Sequence, residues 1–270
     1  MIRGYCILGL CLVLLGGCIQ VGPQPTPIPT ATSIPTATPV PQGEAIFQER
    51  FESGLEGWVL GVRPFFLLSE NPYLGADLSL TTEAQVSGNY SLKITGGRGM
   101  RFYPGSSPFA SAGRKLDYPG PSAIGLEVWF SLGPNVQYGS WGLIVGDGAY
   151  RCHAYLEYGN ASNCFGYLGA DGRFKELDCD IELDDGKWHK VKMVIPPYAT
   201  GYVWYMVDGY TYPFVGGLCE PFDTRYVSIS AGVSPLQDPS EGGTWQKPGG
   251  TIILNSFMYI DDVIVTKNEP

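Results

Sequence analysis

The sequence predicts an all-β fold, a two-sheet antiparallel β-sandwich of the jelly-roll type, from three observations. Short runs alternate apolar and polar residues at the two-residue period of strands. Turn signals that contain glycine separate these runs, and no long stretch shows the 3.6-residue period of an amphipathic helix. The strand-like runs include 91–94, 126–130, 188–195 and 226–230. The turn signals include Asp147-Gly148, Gly159-Asn160, Asp171-Gly172, Asp185-Gly186 and Asp208-Gly209.

The first 17 residues are typical of a secretory signal. Arg3 supplies a basic start, and the apolar run from Tyr5 to Leu15 is shorter than the about 20 residues that span a bilayer. The run ends in Leu15-Gly16-Gly17-Cys18, which resembles the lipobox of bacterial lipoproteins. That resemblance implies a lipid such as palmitate on Cys18, and membrane attachment at the cell surface outside the cytoplasm. An ordinary signal peptide with an incidental cysteine is the alternative.

Residues 18–43 carry no charge, and in them prolines alternate with threonines. Dense proline removes backbone donors and favours extended polyproline conformations. The segment therefore predicts a semi-rigid stalk.

Residues 44–270 are predicted to form one β-sandwich domain, a length that is ordinary for an all-β domain. All 26 acidic residues and all but one of the 17 basic residues lie in it, so its net charge is −10. No basic patch is available to follow phosphates, which excludes nucleic acid as an expected partner.

Four cysteines remain in this domain, namely Cys152, Cys164, Cys179 and Cys219. An even number outside the cytoplasm predicts two disulfides, with three connectivities open. We favour Cys152–Cys164, because these residues flank the predicted turn at Gly159-Asn160, and that leaves Cys179–Cys219. A four-thiolate zinc site is the alternative, but no C-x-x-C pair is present.

Four motifs, in order along the chain, resemble those of extracellular jelly-roll modules. Residues 51–58 resemble the opening strand, and 87–93 resemble a characteristic turn. Residues 185–189 with 207–209 resemble the laminin-G and concanavalin A-like lectin–glucanase pattern, and 259–263 resemble the closing strand. The resemblance implies two stacked antiparallel sheets. It implies glycan recognition only loosely, because one fold hosts many functions.

The resemblance also implies a structural calcium ion. In jelly-roll binding modules the opening and closing strands often share Ca²⁺, and Glu52 and Asp261 match the acidic positions. Asp261 and Asp262 interrupt a run from Phe257 to Val265 that is otherwise apolar, and a buried carboxylate needs a partner or a metal. Hydrogen bonds to backbone or to a lysine are the alternative.

The acidic run 176–183 resembles the E-x-D-x-(x)-E motif of jelly-roll glucanases but departs from it. Asp180 and Ile181 stand where that motif requires a glutamate. Alternation places the four acids of the run outward, so a solvated strand face is predicted here and glycosidase chemistry is not.

The strand from Tyr150 to Tyr158 supplies the candidate site. Alternation places Arg151, His153, Tyr155 and Glu157 on one face. Arginine, histidine and tyrosine together are the parts of jelly-roll polysaccharide lyases, in which arginine neutralises a uronate and histidine or tyrosine moves protons. The same residues serve a binding site as a stacking ring and fixed donors, and a plain exposed polar face is the third interpretation.

The tryptophans divide by pattern into core and exposed residues. Trp58, Trp129 and Trp188 are predicted to be core, whereas Trp204 and Trp245 are predicted to be exposed rings on which a sugar stacks.

The prediction is a lipid-anchored, lectin-like module that binds a polysaccharide or glycoconjugate without catalysis. Its ligand contacts are predicted to be Arg151, Tyr155, Glu157, Trp204 and Trp245. A protein-adhesion or scaffold sandwich is the first alternative. A lyase of uronate-containing glycans that uses Arg151, His153 and Tyr155 is the second.

Overall fold

The computed structural model describes residues 43–63, 74–98, 109–159, 163–179, 183, 185–197, 202–235 and 256–270. All of them belong to one compact unit, Pro39–Pro270. The predictions for the signal peptide, for Cys18 and for Trp245 lie outside these residues. Within the described ranges, no helix is long and apolar enough to span a membrane.

The described residues form sixteen strands. They are β1 (Glu44–Glu49), β2 (Val59–Arg63), β3 (Leu74–Thr81), β4 (Ser91–Arg98), β5 (Phe109–Leu116), β6 (Ile124–Leu132), β7 (Val136–Asp147), β8 (Tyr150–Gly159), β9 (Cys164–Leu168), β10 (Phe174–Cys179), β11 (His189–Ile195), β12 (Tyr202–Val207), β13 (Tyr210–Gly216), β14 (Leu218–Pro221), β15 (Arg225–Pro235) and β16 (Phe257–Lys267).

The strands pair into two antiparallel sheets of eight. The first sheet has the order β13-β12-β11-β6-β16-β4-β3, and β1 also pairs with β16. The second sheet has the order β10-β9-β8-β7-β15-β5-β2, and β14 also pairs with β8. The predicted two-sheet sandwich is therefore confirmed, and the four runs predicted as strands lie in β4, β6, β11 and β15.

The core is formed by the side chains that alternate inward from the two sheets. Trp141 of β7 packs against Phe130 of β6, with ring centroids 4.2 Å apart, and against Phe165 of β9. Tyr158 of β8 and Tyr205 of β12 are also fully buried. Each such side chain contributes about 1.5–3 kcal/mol by leaving water.

Two predictions about core residues have different outcomes. Trp58 is buried as predicted. Trp129 follows the parity of outward-pointing residues on β6 and lies beneath Lys190, whose Nζ is 5.4 Å from the ring centroid. The prediction for Trp129 was therefore wrong, because an aromatic residue within a strand takes the face that alternation gives it.

His189 is a buried histidine with both ring nitrogens engaged. Its Nδ1 lies 2.7 Å from Asp208 Oδ2, and its Nε2 lies 3.0 Å from Asp185 Oδ1. Burial alone lowers the pKa of His189, but hydrogen bonds to the two carboxylates outweigh burial and raise that pKa above its ordinary value. The ring therefore links the turn before β11 to the turn after β12.

The favoured disulfide connectivity was wrong. Cys152 of β8 is bonded to Cys219 of β14, and the two residues are direct neighbours across the strand pair. Cys164 is also disulfide-bonded, and the residue opposite its Cα in the β9–β10 pair is Cys179. β8 and β9 pair antiparallel, but Gly159 and not Cys152 lies opposite Cys164, so the pairing of these two strands does not bring Cys152 to Cys164.

Candidate functional site

The side of the second sheet that points away from the first sheet forms a continuous polar and aromatic surface, which we call the outer face. On β8, Cys152, Ala154, Leu156 and Tyr158 are buried, so the alternate residues point outward. The outer face is defined by Arg151, His153, Tyr155 and Glu157 of β8, Tyr138, Ser140, Gly142 and Ile144 of β7, Tyr226, Ser228 and Ser230 of β15, and Ser111 and Lys115 of β5. The predicted grouping of the four β8 residues on one face is confirmed.

Aromatic rings of the outer face lie across glycines of the neighbouring strands. A Cβ at Gly142 would meet Tyr155 Cε1 at 2.5 Å and Ser230 Oγ at 2.6 Å. A Cβ at Gly146 would likewise meet Tyr226 Cε1 at 3.0 Å. The absence of a side chain at these two positions lets each ring lie close to the sheet.

Three serines lie near Tyr155 in the strand register of the outer face. Ser140, Ser228 and Ser230 are half-buried on β7 and β15, close to Gly142 and Tyr155 in the strand register. Within the part of the chain that the structure describes, their hydroxyls have no hydrogen-bond partner. Hydroxyls both donate and accept, so they can pair with ligand groups of either kind.

Arg151 is held at one end of the outer face by β14. Its Nε donates to Glu220 Oε1 at 3.0 Å, its Nη2 donates to the same oxygen, and its guanidinium carbon lies 4.3 Å from the Phe222 ring centroid. The hydrogen bonds from Arg151 hold the pKa of the Glu220 carboxyl below its usual range. The Arg151 charge is therefore largely neutralised before any ligand arrives.

His153 lies between this ion pair and Tyr155. Burial, with the Arg151 charge as a second cause, lowers the pKa of His153, so the ring is neutral at pH 7. Its Nε2 lies 3.4 Å from Glu220 Oε1 but makes no hydrogen bond there. The His153 and Tyr155 ring centroids are 5.8 Å apart. Because this nitrogen is buried beside Glu220, the His153 ring contributes packing against Tyr155 and no open hydrogen-bonding atom at Nε2.

Glu157 lies at the other end of the row, beside a small hollow. Ser140 of β7 and Gly166 of β9 are its register partners. The hollow has a volume of about 160 Å³, and Tyr138 and Phe174 also line it. Burial raises the pKa of Glu157, and no described residue forms a hydrogen bond or ion pair with its carboxylate.

The structure does not bring Trp204 to this surface. Trp204 belongs to β12 of the first sheet, where it points away from the core together with Lys192, whose Nζ lies 5.8 Å from the ring centroid. With Tyr202, Pro196 and Pro197 it lines a separate apolar groove of about 550 Å³. Trp204 and Tyr155 therefore belong to different sheets, and a ligand contact at Trp204 stays a prediction.

The acidic run 176–183 is described only in part. Leu177 is half-buried and Leu183 is buried, as alternation predicts, and Glu176 is exposed. A register shift between Glu176 and Asp178 in the β9–β10 pair interrupts the alternation. Among the acids of this run the structure describes the side chain of Glu176, and the outward placement of the other three stays a prediction.

The two predicted calcium ligands accept hydrogen bonds from one loop. Asp261 Oδ2 accepts from the backbone N–H groups of Val86 and Ser87, at 2.8 and 3.1 Å. Glu52 Oε1 accepts from those of Asn89 and Tyr90, at 2.5 and 3.0 Å. Because the loop offers N–H donors to both carboxylates, these atoms do not fit an all-oxygen calcium shell. Across the described residues, no three acidic, histidine or cysteine side chains converge as metal ligands.

Sequence reasoning missed the partners that complete the outer face. Glu220, Tyr226 and Ser230 lie 63 or more positions after Tyr155 or Glu157 in the chain. The alternation in the run 226–230 identified a strand but gave no sign that β15 lies beside β7. Gly142, which lets the Tyr155 ring approach the sheet, carried no signal in the sequence.

Comparisons with known proteins give the fold. No protein-family model matches the chain, and no curated protein matches it. Among solved structures, a sialidase is similar with a TM-score of 0.50 and 16% identity over 84% of this chain, and the chain spans only 19% of that protein. An endo-β-1,4-glucuronan lyase from the fungus Trichoderma reesei has a TM-score of 0.48 and 15% identity, covering 83% of this chain and 99% of its own. A glycoside hydrolase family 16 endo-glucanase from Bacteroides ovatus has a TM-score of 0.47 and 14% identity. That match covers 81% of this chain and 99% of the endo-glucanase. At these identities the likeness to the sialidase shows the sandwich fold alone.

Proposed function

We propose that this chain is a glycan-binding module without catalysis, held at the cell surface by a lipid on Cys18 and displayed on its proline-rich stalk. The observation that carries the proposal is the Tyr155 ring. It lies against Gly142 beside Ser230, on a surface with several unpaired serine hydroxyls in the described part of the chain.

This arrangement matches the chemistry of a sugar ring. A pyranose has faces of C–H groups, which pack on aromatic rings, and an edge of hydroxyls, which both donate and accept hydrogen bonds. Tyr155 and Tyr226 supply rings on the outer face, while Ser140, Ser228 and Ser230 supply hydroxyls. One ligand thus finds both kinds of contact on three adjacent strands.

Retention on a polysaccharide array tests the proposal. We expect the full-length protein to be retained by at least one glycan, and Tyr155→Ala to lose at least about tenfold in affinity, since one stacked ring contributes on the order of 1.4 kcal/mol. Tyr210→Ala is the matched control, because Tyr210 is 75% exposed and belongs to β13 of the other sheet. Absence of retention on every glycan would favour the adhesion or scaffold alternative.

A polysaccharide lyase is the second candidate, because Arg151, His153 and Tyr155 do lie in one row. The pairing of Arg151 with Glu220 argues against it, since a uronate would have to displace an existing carboxylate. The same array tests both candidates if ultraviolet absorbance of an unsaturated product is followed. Product formation that is lost in His153→Ala would establish the lyase in place of the binding module.

A further inference from the structure

Most of the cationic side chains at or beside the outer face already have a carboxylate partner. Among the described side chains, Lys115 and Arg151 belong to the outer face, and Lys175 lines the hollow beside Glu157 from the position opposite Tyr167. Glu220 binds Arg151, and the Lys175 Nζ lies 3.5 Å from Asp171 Oδ2. Only Lys115 has no carboxylate partner among the described residues, and its Nζ lies 4.8 Å from the Tyr226 ring centroid. A polyuronate, with one carboxylate on each sugar, would find one unpaired cation there.

The acidic side chains at the same surface include one that is unpaired and half-buried. Glu157 has no hydrogen-bond or ion-pair partner in the described part of the chain. Glu176 of β10 lies opposite Gly166, which is also the register partner of Glu157, and it lines the same hollow. A uronate entering the hollow would therefore meet two carboxylates, and residues 44–270 add a net charge of −10.

Sugar hydroxyls can donate hydrogen bonds to the carboxylates of this surface, whereas the carboxylates of a uronate would repel them. An ionised carboxylate has about four acceptor positions and no donor, so it pairs well with two hydroxyls of one sugar. Burial raises the pKa of Glu157, and hydrogen bonds from a ligand to the charged form would offset that cost. Neutral sugars supply such donors and bring no charge of their own.

We infer that the outer face selects a neutral glycan chain and rejects polyuronates, with Glu157 as the residue that accepts hydrogen bonds from sugar hydroxyls. This inference rests on the proposed glycan-binding function and names its ligand class. It assigns specificity to the balance of charges around Tyr155, and it excludes the uronate substrates that a lyase of this row would need.

Affinity electrophoresis of the full-length protein tests the inference. The probes are three neutral polysaccharides, a β-glucan, a xylan and a galactomannan, and two polyuronates, alginate and polygalacturonate. We expect at least one neutral gel to retard the protein, equally at about 0.05 and 0.5 M salt, because recognition by hydroxyls and stacking is not screened. We expect neither polyuronate to retard it at either salt concentration.

Two variants test whether the Glu157 carboxylate contributes to binding of the neutral glycan. Glu157→Gln keeps the shape but loses the charge, and we expect about tenfold weaker retention on the neutral glycan that binds the parent. Glu56→Gln, an exposed glutamate in the segment before β2, is the matched control and should bind like the parent. Thermal melting of both variants reports whether they fold.

The outcomes separate this inference from the proposed function. Salt-sensitive retention of the parent on alginate or polygalacturonate would overturn neutral selection and leave glycan binding intact. Unchanged neutral-glycan binding in a folded Glu157→Gln protein would overturn the role of Glu157. Absence of retention on all five probes would overturn both the inference and the glycan-binding function for these polymers.

Discussion

Arg151 and Glu220 lie directly opposite each other in the β8–β14 pair, one position along from the bonded cysteines Cys152 and Cys219. The disulfide points into the core, whereas the ion pair points to the outer face. The short strand β14 therefore pairs with one end of β8 and supplies the carboxylate that neutralises Arg151. The covalent link holds that carboxylate in place.

The first prediction concerns disulfide connectivity. Peptide mapping without reduction should recover Cys152 linked to Cys219, and Cys164 linked to Cys179, because these pairs are opposed in the strand register. The double variant Cys152→Ser/Cys219→Ser should lose about 2–4 kcal/mol of unfolding free energy in denaturant titrations. Recovery of a Cys152–Cys164 peptide would contradict the register.

The disulfides show where sequence reasoning stops. Cys152 and Cys219 are separated by 67 positions in the chain, and nothing in either local pattern indicates that β14 pairs with β8. Cys152 and Cys164 are close in sequence, but their side chains do not meet, because Gly159 is the residue that lies opposite Cys164. Pairing register between distant strands is set by the whole sheet.

Alternation within one strand was the more reliable guide. It placed Arg151 and Tyr155 on one face, since successive side chains of any strand point to opposite sides. It also placed Trp204 and its neighbour Val203 on opposite faces of β12. Alternation does not tell which of the two sheets holds β12, and in the structure Trp204 and Tyr155 lie on different sheets.

A second prediction tests whether the Tyr155 ring must lie close to the sheet. In Gly142→Ala the new methyl would meet the ring at 2.5 Å, so the ring has to move. We expect glycan retention to weaken at least about fivefold, and the unfolding free energy to fall by about 1–3 kcal/mol because the methyl is forced into a packed site.

The matched control is Gly113→Ala, on the same face two strands away. A methyl there would find its nearest neighbour, Ile229 O, at 3.8 Å, which is an ordinary contact. This variant should bind like the parent. Equal weakening by both substitutions would point to general loss of the sheet and not to the position of the ring.

A third prediction is a pH dependence of stability from His189. Two carboxylates raise the folded-state pKa above its unfolded value of about 6.5, so the stabilisation is fully present below that pH and is lost as pH rises through the folded pKa. The unfolding free energy of the parent should therefore fall, by on the order of 1 kcal/mol, as pH rises from about 6 to 9.

Comparison with His189→Gln isolates this contribution. His153, whose pKa is lowered, acts in the opposite direction and is present in both proteins. The difference in unfolding free energy between parent and variant should shrink with rising pH in denaturant titrations. A difference that stays constant across this range would show that the pKa of His189 is the same in the folded and the unfolded protein.

A fourth prediction separates hydrogen bonding from calcium at Asp261. In Asp261→Asn an amide N–H₂ would face the N–H groups of Val86 and Ser87, so we expect a loss of about 1–3 kcal/mol of unfolding free energy. Asp77→Asn, at an exposed position of β3, is the control and should change little. Chelation should leave the melting temperature of the parent unchanged. A lower melting temperature after chelation, with calcium found by elemental analysis, would establish the predicted calcium site.

The last prediction is lipidation of Cys18, on which the proposed display at the cell surface depends. Metabolic labelling with a fatty-acid analogue should mark the parent and leave Cys18→Ser unmarked, because the lipobox-like sequence 15–18 makes that thiol the acceptor. Cys11→Ser is the matched control, since Cys11 lies within the predicted signal peptide and leaves with it. Cys11→Ser should label as strongly as the parent. Full labelling of Cys18→Ser would show that the lipid is attached to another residue, whereas an unlabelled parent would indicate an ordinary secretory signal and a secreted module.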